Sequence, residues 1–250
     1  MTEKRLEGRL AVVTGASRGI GWQAALALAR EGAHIVAIAK TVGALEELDD
    51  AIKAMGGAAT LVPVDLMDYD AIDRLGAALF ERWGKLDILL GNAGLLGSVS
   101  PIGHLDPVKD WDKVLGVNLT ANWRLIRSLD PLLRRSDAGR ALFMTSGAPH
   151  KCKPYWGIYS VSKAGLEALV RTYAGEIEQT NVKVNCFNPG PVRTGMRAKA
   201  MPGEDPMTLP HPSELAPHIL ECLLPECQES GRMYDFPSKS WKDYGSPVVG

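Results

Sequence analysis

The sequence predicts an α/β protein: one parallel, doubly wound sheet with helices packed on both of its faces. Three observations predict it. Short apolar runs alternate with segments of 3.6-residue periodicity along nearly the whole chain. No shift in composition and no repeat divides the 250 residues, so a single domain spanning 1–250 is expected. Strands separated by helices need crossover connections, which lay those helices over the two sheet faces as a three-layer α/β/α stack.

Leu10-Ala-Val-Val13 is an apolar, partly β-branched run ending at Thr14-Gly15, and reads as a buried strand. From Arg18 the period changes, with Ile20, Ala24, Leu28 and Ala29 on one helical stripe that stops at Gly32. His34 to Ala39 is the second strand, and Thr41 to Met55 a helix with Leu45, Leu48 and Ile52 on one face. Thr60 to Val64, Tyr69 to Trp83 and Leu86 to Leu90 continue the alternation as strand, helix and strand. A long helical pattern follows from Val108 to Arg135, with Pro131 expected to kink or shorten it near its end. Arg140 to Thr145 is a strand, Tyr159 to Gln179 a helix, and Val182 to Phe187 a strand. Prolines punctuate the stretch from Pro189 to Pro212; a short helix near Ser213 to Leu224 and a last strand, Gly231 to Phe236, close the fold.

Composition excludes more than it names. With 28 Lys plus Arg against 29 Asp plus Glu, the net charge of −1 argues against a general nucleic-acid binder. The longest run without a charge or His, Ile88 to Gly103, holds Asn92, Pro101 and four glycines, so no membrane span is expected. Met1 to Gly8 carries charges of both signs and no apolar core, so no signal peptide is expected. Four cysteines at no zinc spacing suit reduced thiols in a cytoplasm. His34, His104, His211 and His218, with Cys222 and Cys227, likewise show no metal-ligand spacing, and no metal is expected.

In such sheets ligands bind beyond the carboxyl ends of the strands. Thr14-Gly-Ala-Ser-Arg-Gly-Ile-Gly21 follows a strand and opens a helix there. Gly15 permits the tight turn, and Gly19 and Gly21 let backbone approach a pyrophosphate at the helix N-terminus. The spacing matches the general dinucleotide fingerprint only loosely, and a glycine-rich turn can serve packing alone. Tyr159 and Lys163 are four apart and share a helix face. An ammonium beside a phenol favours phenolate, which lowers the phenol's pKa and suits it to acid–base work; a surface Tyr/Lys pair would look the same. Ser146 lies just past a strand and could bond a substrate oxygen or cap a turn. Asn118 falls on the apolar stripe of the long helix, where a buried amide either satisfies a neighbouring loop or joins a polar relay.

Taken in order, these motifs resemble the short-chain dehydrogenase/reductase family from about Leu10 to Phe236. They are Thr14-Gly-x3-Gly-x-Gly21, Asp65, Asn92-Ala93-Gly94, Asn118, Ser146, Tyr159-x3-Lys163, and Asn188-Pro189-Gly190 with Thr194. The resemblance implies a Rossmann fold and a hydride exchanged between a nicotinamide dinucleotide and a carbonyl or secondary alcohol. It implies Tyr159 as acid/base, Ser146 polarising the carbonyl, and Lys163 holding the nicotinamide ribose while lowering the Tyr159 pKa. Asn118 would support a water-linked proton path. The loop residues Gly15, Ser17, Arg18, Gly19, Ile20 and Gly21 would hold the dinucleotide. Asp65 would contact its adenine side, Asn92, Ala93 and Gly94 its ribose region, and Pro189, Gly190 and Thr194 would flank the nicotinamide. Gly91 replaces an Asn that often precedes Asn92, and the tail from Phe236 lacks a common Gly-Gly ending. Members commonly pair the helices carrying Asn118 and Tyr159 across a two-fold axis, so a homodimer or homotetramer is expected.

The strand-two end decides the cofactor. A carboxylate there would bond a ribose and repel a 2′-phosphate; this chain has Ala39, Lys40 and Thr41, with Arg18 in the glycine loop. Two cations and no anion favour NADP(H) over NAD(H). Leu95, Leu96, Val99, His150, Cys152, Tyr155, Trp156 and the region 191–212 are candidate substrate lining. Lys151, Lys153, Arg193, Arg197 and Lys199 form a rim that is solvated or draws acidic groups. The loop Asn92 to Gly97 and the stretch Arg193 to Lys199 are similar to bacterial oxidoreductases and oxoacyl-carrier reductases. Two alternatives stay open: a catalytically silent dinucleotide-binding sensor or interaction protein, and an NAD-dependent secondary-alcohol dehydrogenase.

Overall fold

The structure, a computed structural model, describes residues 4–244. The expectations for Met1 to Glu3 and for 245–250 of the tail lie outside the described residues. Eight strands form one sheet in the order β3-β2-β1-β4-β5-β6-β7-β8. They are β1 Leu10–Thr14, β2 His34–Ala39, β3 Ala59–Pro63, β4 Ile88–Gly91, β5 Arg140–Met144, β6 Lys183–Asn188, β7 Met233–Asp235 and β8 Ser240–Lys242. The first seven run parallel. Strand order reverses at β1, which has β2 on one side and β4 on the other, so a crevice opens above their carboxyl ends. Pro63 costs no ladder bond because β3 is an edge strand.

Strand β8 was not expected. It pairs antiparallel with β7, Tyr234 facing Trp241. The tight turn between them is held by Asp235, whose carboxylate accepts from the Ser238 N–H at 3.1 Å.

Both faces are covered. Helices α1 (Gly19–Arg30), α2 (Val42–Ala54) and the helix Pro212–Leu223 pack on one, through Leu28, Leu48, Ile52 and Ile219. Helix α3 (Tyr69–Trp83), the long helix and the helix Gly157–Glu176 pack on the other, through Leu75, Leu125, Leu129 and Leu166. Successive β1 residues alternate between the two cores, Ala11 and Val13 to one, Leu10 and Val12 to the other. Each such fully buried Leu or Ile contributes roughly 1.5–3 kcal/mol.

The long helix runs from 107 to 133 and contains two widened π-type turns, Pro107–Asp112 and Gly116–Thr120. Asp106 caps its start, accepting from the N–H groups of Val108 and Lys109 at 2.9 and 2.8 Å. Pro131 stands in its last turn, so the helix stops at Leu133 rather than Arg135. The second wide turn carries Asn118, a common placement for functional side chains. Among the described residues no helix is long and apolar enough to cross a membrane, and no cluster of His, Cys, Asp or Glu could hold a metal ion.

Candidate active site

The glycine loop is tied to the end of β4. The Thr14 hydroxyl accepts from the N–H groups of Asn92 and Ala93 at 3.0 and 3.1 Å. The Asn92 amide returns two bonds, to the carbonyls of Thr14 at 2.9 Å and Gly15 at 3.2 Å. Asn92 therefore shapes the loop from behind. Gly21 is also required by packing: a Cβ there would strike the Gly15 carbonyl and the Asn92 amide, between α1 and its own loop. Gly19, at φ +60°, faces open space, where an added Cβ would meet only Thr194 Cγ2 at 3.7 Å.

Helix α1 starts without a side-chain cap at Arg18 and without an acid in its first turn, among the described residues. Its first N–H groups are thus left for an anion, which the positive end of the helix dipole favours. Ser17 and Ile20 are half-buried and Arg18 exposed. This open, donor-rich turn fits the pyrophosphate of a dinucleotide.

The strand-two end departs from the expectation of unopposed cations. Lys40 Nζ lies 2.7 Å from Asp65 Oδ2, across the ends of β2 and β3. The Lys40 ammonium, with the Met67 N–H, holds the Asp65 carboxyl below the usual carboxylate range. Arg18 makes no side-chain hydrogen bond to any described residue.

Ser146 follows β5 directly, while Tyr159 and Lys163 sit on the inner face of the helix Gly157–Glu176. The Lys163 ammonium lies 5.8 Å from the Tyr159 ring centroid and donates to the Met144 carbonyl at 2.6 Å. The expected lowering of the phenol pKa is not what the structure shows. Burial pushes Tyr159 up to about 12, and the Ser146 hydroxyl beside it offsets this only in part. Burial also pulls Lys163 down to about 8. Loss of water penalises phenolate and ammonium alike.

Asn118 is fully buried and braces a loop. Its Oδ1 accepts from the Leu95 N–H at 2.7 Å, and its Nδ2 donates to the Leu95 carbonyl at 2.8 Å and Ser162 Oγ at 3.0 Å. Ser162 in turn donates to the Tyr159 carbonyl at 2.8 Å. Asn118 thereby couples the Asn92-Ala93-Gly94 loop to the Tyr159 helix, with no direct bond to Lys163 among the described residues.

On the far side, Asn188 donates to Asp235 at 2.7 Å and accepts from the Gly190 N–H at 3.1 Å, fixing the turn through Pro189. Thr194 caps the short helix Gly195–Ala200 through the Arg197 N–H at 3.3 Å. Two cations of the expected rim are already engaged: Arg197 with Glu204 at 2.5 Å, and Arg193 with the Leu209 carbonyl at 3.2 Å. His150 Nε2 lies 3.2 Å from Glu167 Oε1. Glu167 escaped the sequence reading. The available signal was its spacing, one turn beyond Lys163 on a buried helix face.

Comparison with known proteins agrees with this geometry. Residues 9–205 match the family described as short chain dehydrogenase. The uncharacterized oxidoreductase YciK of Escherichia coli strain K12 is 36% identical over 218 residues, covering 86% of each chain. The chain belongs to the short chain dehydrogenase family. A family structure from Escherichia coli CFT073, complexed with NADPH, superposes with a TM-score of 0.87 at 34% identity, covering 94% of this chain and 99% of that one. A Mycobacterium tuberculosis H37Rv relative named an uncharacterized NAD-dependent oxidoreductase is 37% identical over 207 residues, 76% of this chain and 74% of its own. The eight-stranded order observed here is the Rossmann arrangement of this short chain dehydrogenase, extended by the β7–β8 hairpin.

Proposed function

We propose that this short chain dehydrogenase reduces a carbonyl compound with NADPH, or oxidises the corresponding secondary alcohol with NADP. The observation that carries the proposal is the placement of Ser146, Tyr159 and Lys163 on the sheet edge that also bears the uncapped start of α1. A nicotinamide bound there supplies the hydride. Gly15, Ser17, Arg18, Gly19 and Ile20 would hold the pyrophosphate side, with Gly21 closing the loop behind them. Asp65 would serve the adenine side, Asn92, Ala93 and Gly94 the ribose region, and Pro189, Gly190 and Thr194 the nicotinamide.

Acid–base work belongs to the chain. With its pKa raised to about 12, the Tyr159 phenol keeps its proton at neutral pH and can donate it to a carbonyl oxygen as the carbon is reduced. The Ser146 hydroxyl beside it shares the load on that oxygen, and the Lys163 charge eases the phenolate left behind. In the oxidative direction the base would be the Tyr159 phenolate, which burial makes scarce at neutral pH, so that direction should gain with rising pH. Asn118 acts as a positioning residue, holding the Tyr159 helix against the loop at Leu95.

The preference for NADP(H) is supported by Ala39, which gives β2 itself no carboxylate at its end, and by Arg18 and by Lys40, the latter paired with Asp65. The related structure complexed with NADPH supports it too. Tyr159→Phe is expected to lower kcat by roughly 10²–10⁴-fold on a panel of ketones, diketones and acyl thioesters, with NADPH binding retained. Turnover that survives this substitution would overturn the role of Tyr159. A lower Michaelis constant for NADH than for NADPH would overturn the cofactor preference.

A further inference from the structure

Glu167 is 5% exposed and lies one turn beyond Lys163, yet hydride and proton transfer make no use of it. Burying a carboxylate is costly unless it is well partnered. Its partners are specific: Oε1 accepts from the Thr145 hydroxyl at 2.5 Å and lies 3.2 Å from His150 Nε2. Those two residues bracket Ser146. Upstream, the segment is fixed by the sheet, since the Thr145 N–H donates to the Phe187 carbonyl at 2.9 Å. Downstream, the single turn Ala148–Lys151 has little stability of its own. Its backbone bonds are local, Ala148 N–H to Ser146 Oγ and Lys151 N–H to the Gly147 carbonyl, both at 3.2 Å, and Cys152 N–H to the Ala148 carbonyl at 3.0 Å, with one tie from Ser160 Oγ to the Ala148 carbonyl at 3.2 Å. A cavity of about 440 Å³ lined by Pro149, His150, Glu167, Arg171 and Tyr244 lies behind it. The segment therefore has room to relax.

We propose that Glu167 is a positioning residue: by holding Thr145 and His150 to one carboxylate, it fixes the segment that presents Ser146 to Tyr159. The inference rests on the reading of Ser146 and Tyr159 as the reacting pair. It separates Glu167 from an ordinary buried acid, because what it protects is alignment rather than the fold.

The test compares Glu167→Ala, Glu167→Gln, Thr145→Val and the double variant Thr145→Val/Glu167→Ala in the full chain, with NADPH and a 1,2-diketone. Gln keeps an acceptor for the Thr145 hydroxyl, and Val is close to isosteric with Thr, so at least two variants should fold. Glu167→Ala and Thr145→Val are each expected to lower kcat about 10- to 100-fold, the scale of a small misplacement, with the diketone KM and the NADPH Kd unchanged. The double variant should lose no more than either single one, and Glu167→Gln should restore most of the rate. Amide exchange at Ala148 and Lys151, which needs no substrate, should quicken in Glu167→Ala and Thr145→Val but not in Glu167→Gln. Unchanged kcat with unchanged exchange in Glu167→Ala would overturn the proposal, as would a Gln variant as damaged as the Ala one. Tyr159→Phe on the same diketone keeps the two readings apart: if it retains turnover the reacting pair is misassigned, whatever the exchange shows of Glu167.

Discussion

The two edges of the sheet treat buried charge in opposite ways. At the amino edge, Asp87 is fully buried and saturated with partners. Its Oδ1 takes Arg9 at 3.2 Å, Lys85 at 2.9 Å and the Ser136 hydroxyl at 2.6 Å, and its Oδ2 takes the Leu10 N–H at 2.9 Å. Arg140, 3% exposed, gives its guanidinium to the carbonyls of Leu224, Gly139, Asn181 and Pro225. At the carboxyl edge Lys163 is equally buried but makes one hydrogen bond among the described residues, to Met144. Charges that close the fold have their hydrogen-bonding capacity filled. The charge proposed to serve a ligand keeps capacity in hand, and the fold bears the desolvation.

The comparison can be broken by deleting one charge from each edge. Asp87→Ala leaves Arg9, Lys85 and the Leu10 N–H short of an acceptor and should cost about 3 kcal/mol. For a chain of this size that is a fall in Tm of roughly 6–12 °C, read by thermal melts, with kcat per folded molecule unchanged. Lys163→Met should move stability the other way while abolishing turnover. The folded-state pKa of Lys163, about 8 against an ordinary 10.5, means that the unfolded chain binds more protons between those values. Stability contributed by this site therefore rises with pH from about 8 to 10.5, and the penalty is fully present below 8. Removing the ammonium relieves that penalty, partly offset by the Met144 carbonyl left without its donor. A net gain of about 1 kcal/mol, or roughly 2–4 °C, is expected at pH 7 and should vanish above pH 10. A Lys163→Met variant that melts lower than wild type at pH 7 would erase the contrast between the edges.

How far this contrast was legible beforehand follows from distance along the chain. The alternation of strand and helix shows in local periodicity, so the seven parallel strands could be placed from sequence. Strand β8, three residues long, carries no period to read. Tyr159 and Lys163 are four residues apart and announce a shared face; the partners that define their surroundings are remote. Thr145 is 22 residues from Glu167, Leu95 is 23 from Asn118, and Lys40 is 25 from Asp65. Only packing brings those together. The direction of the Tyr159 pKa failed for the same reason, since spacing shows a neighbouring ammonium but not the loss of water around both groups.

Lys40 offers the smallest and most diagnostic test, because of the two cations proposed to meet a 2′-phosphate it is the one paired with a carboxylate. Its side chain is 77% exposed and paired with Asp65, an arrangement typically worth about 0–1 kcal/mol. A 2′-phosphate would have to share Lys40 with Asp65, whereas Arg18 has no such bond to give up among the described residues. Lys40→Ala should therefore weaken NADPH binding by no more than about fivefold, which is 1 kcal/mol, and leave NADH binding alone. Arg18→Ala should cost NADPH binding more. Fluorescence titration at low and high salt reads both, and the Lys40 effect should shrink with salt because an exposed charge is screened. If Lys40→Ala weakens NADH and NADPH alike, Lys40 does not meet the phosphate, and its bond to Asp65 belongs with the saturated pairs of the opposite edge.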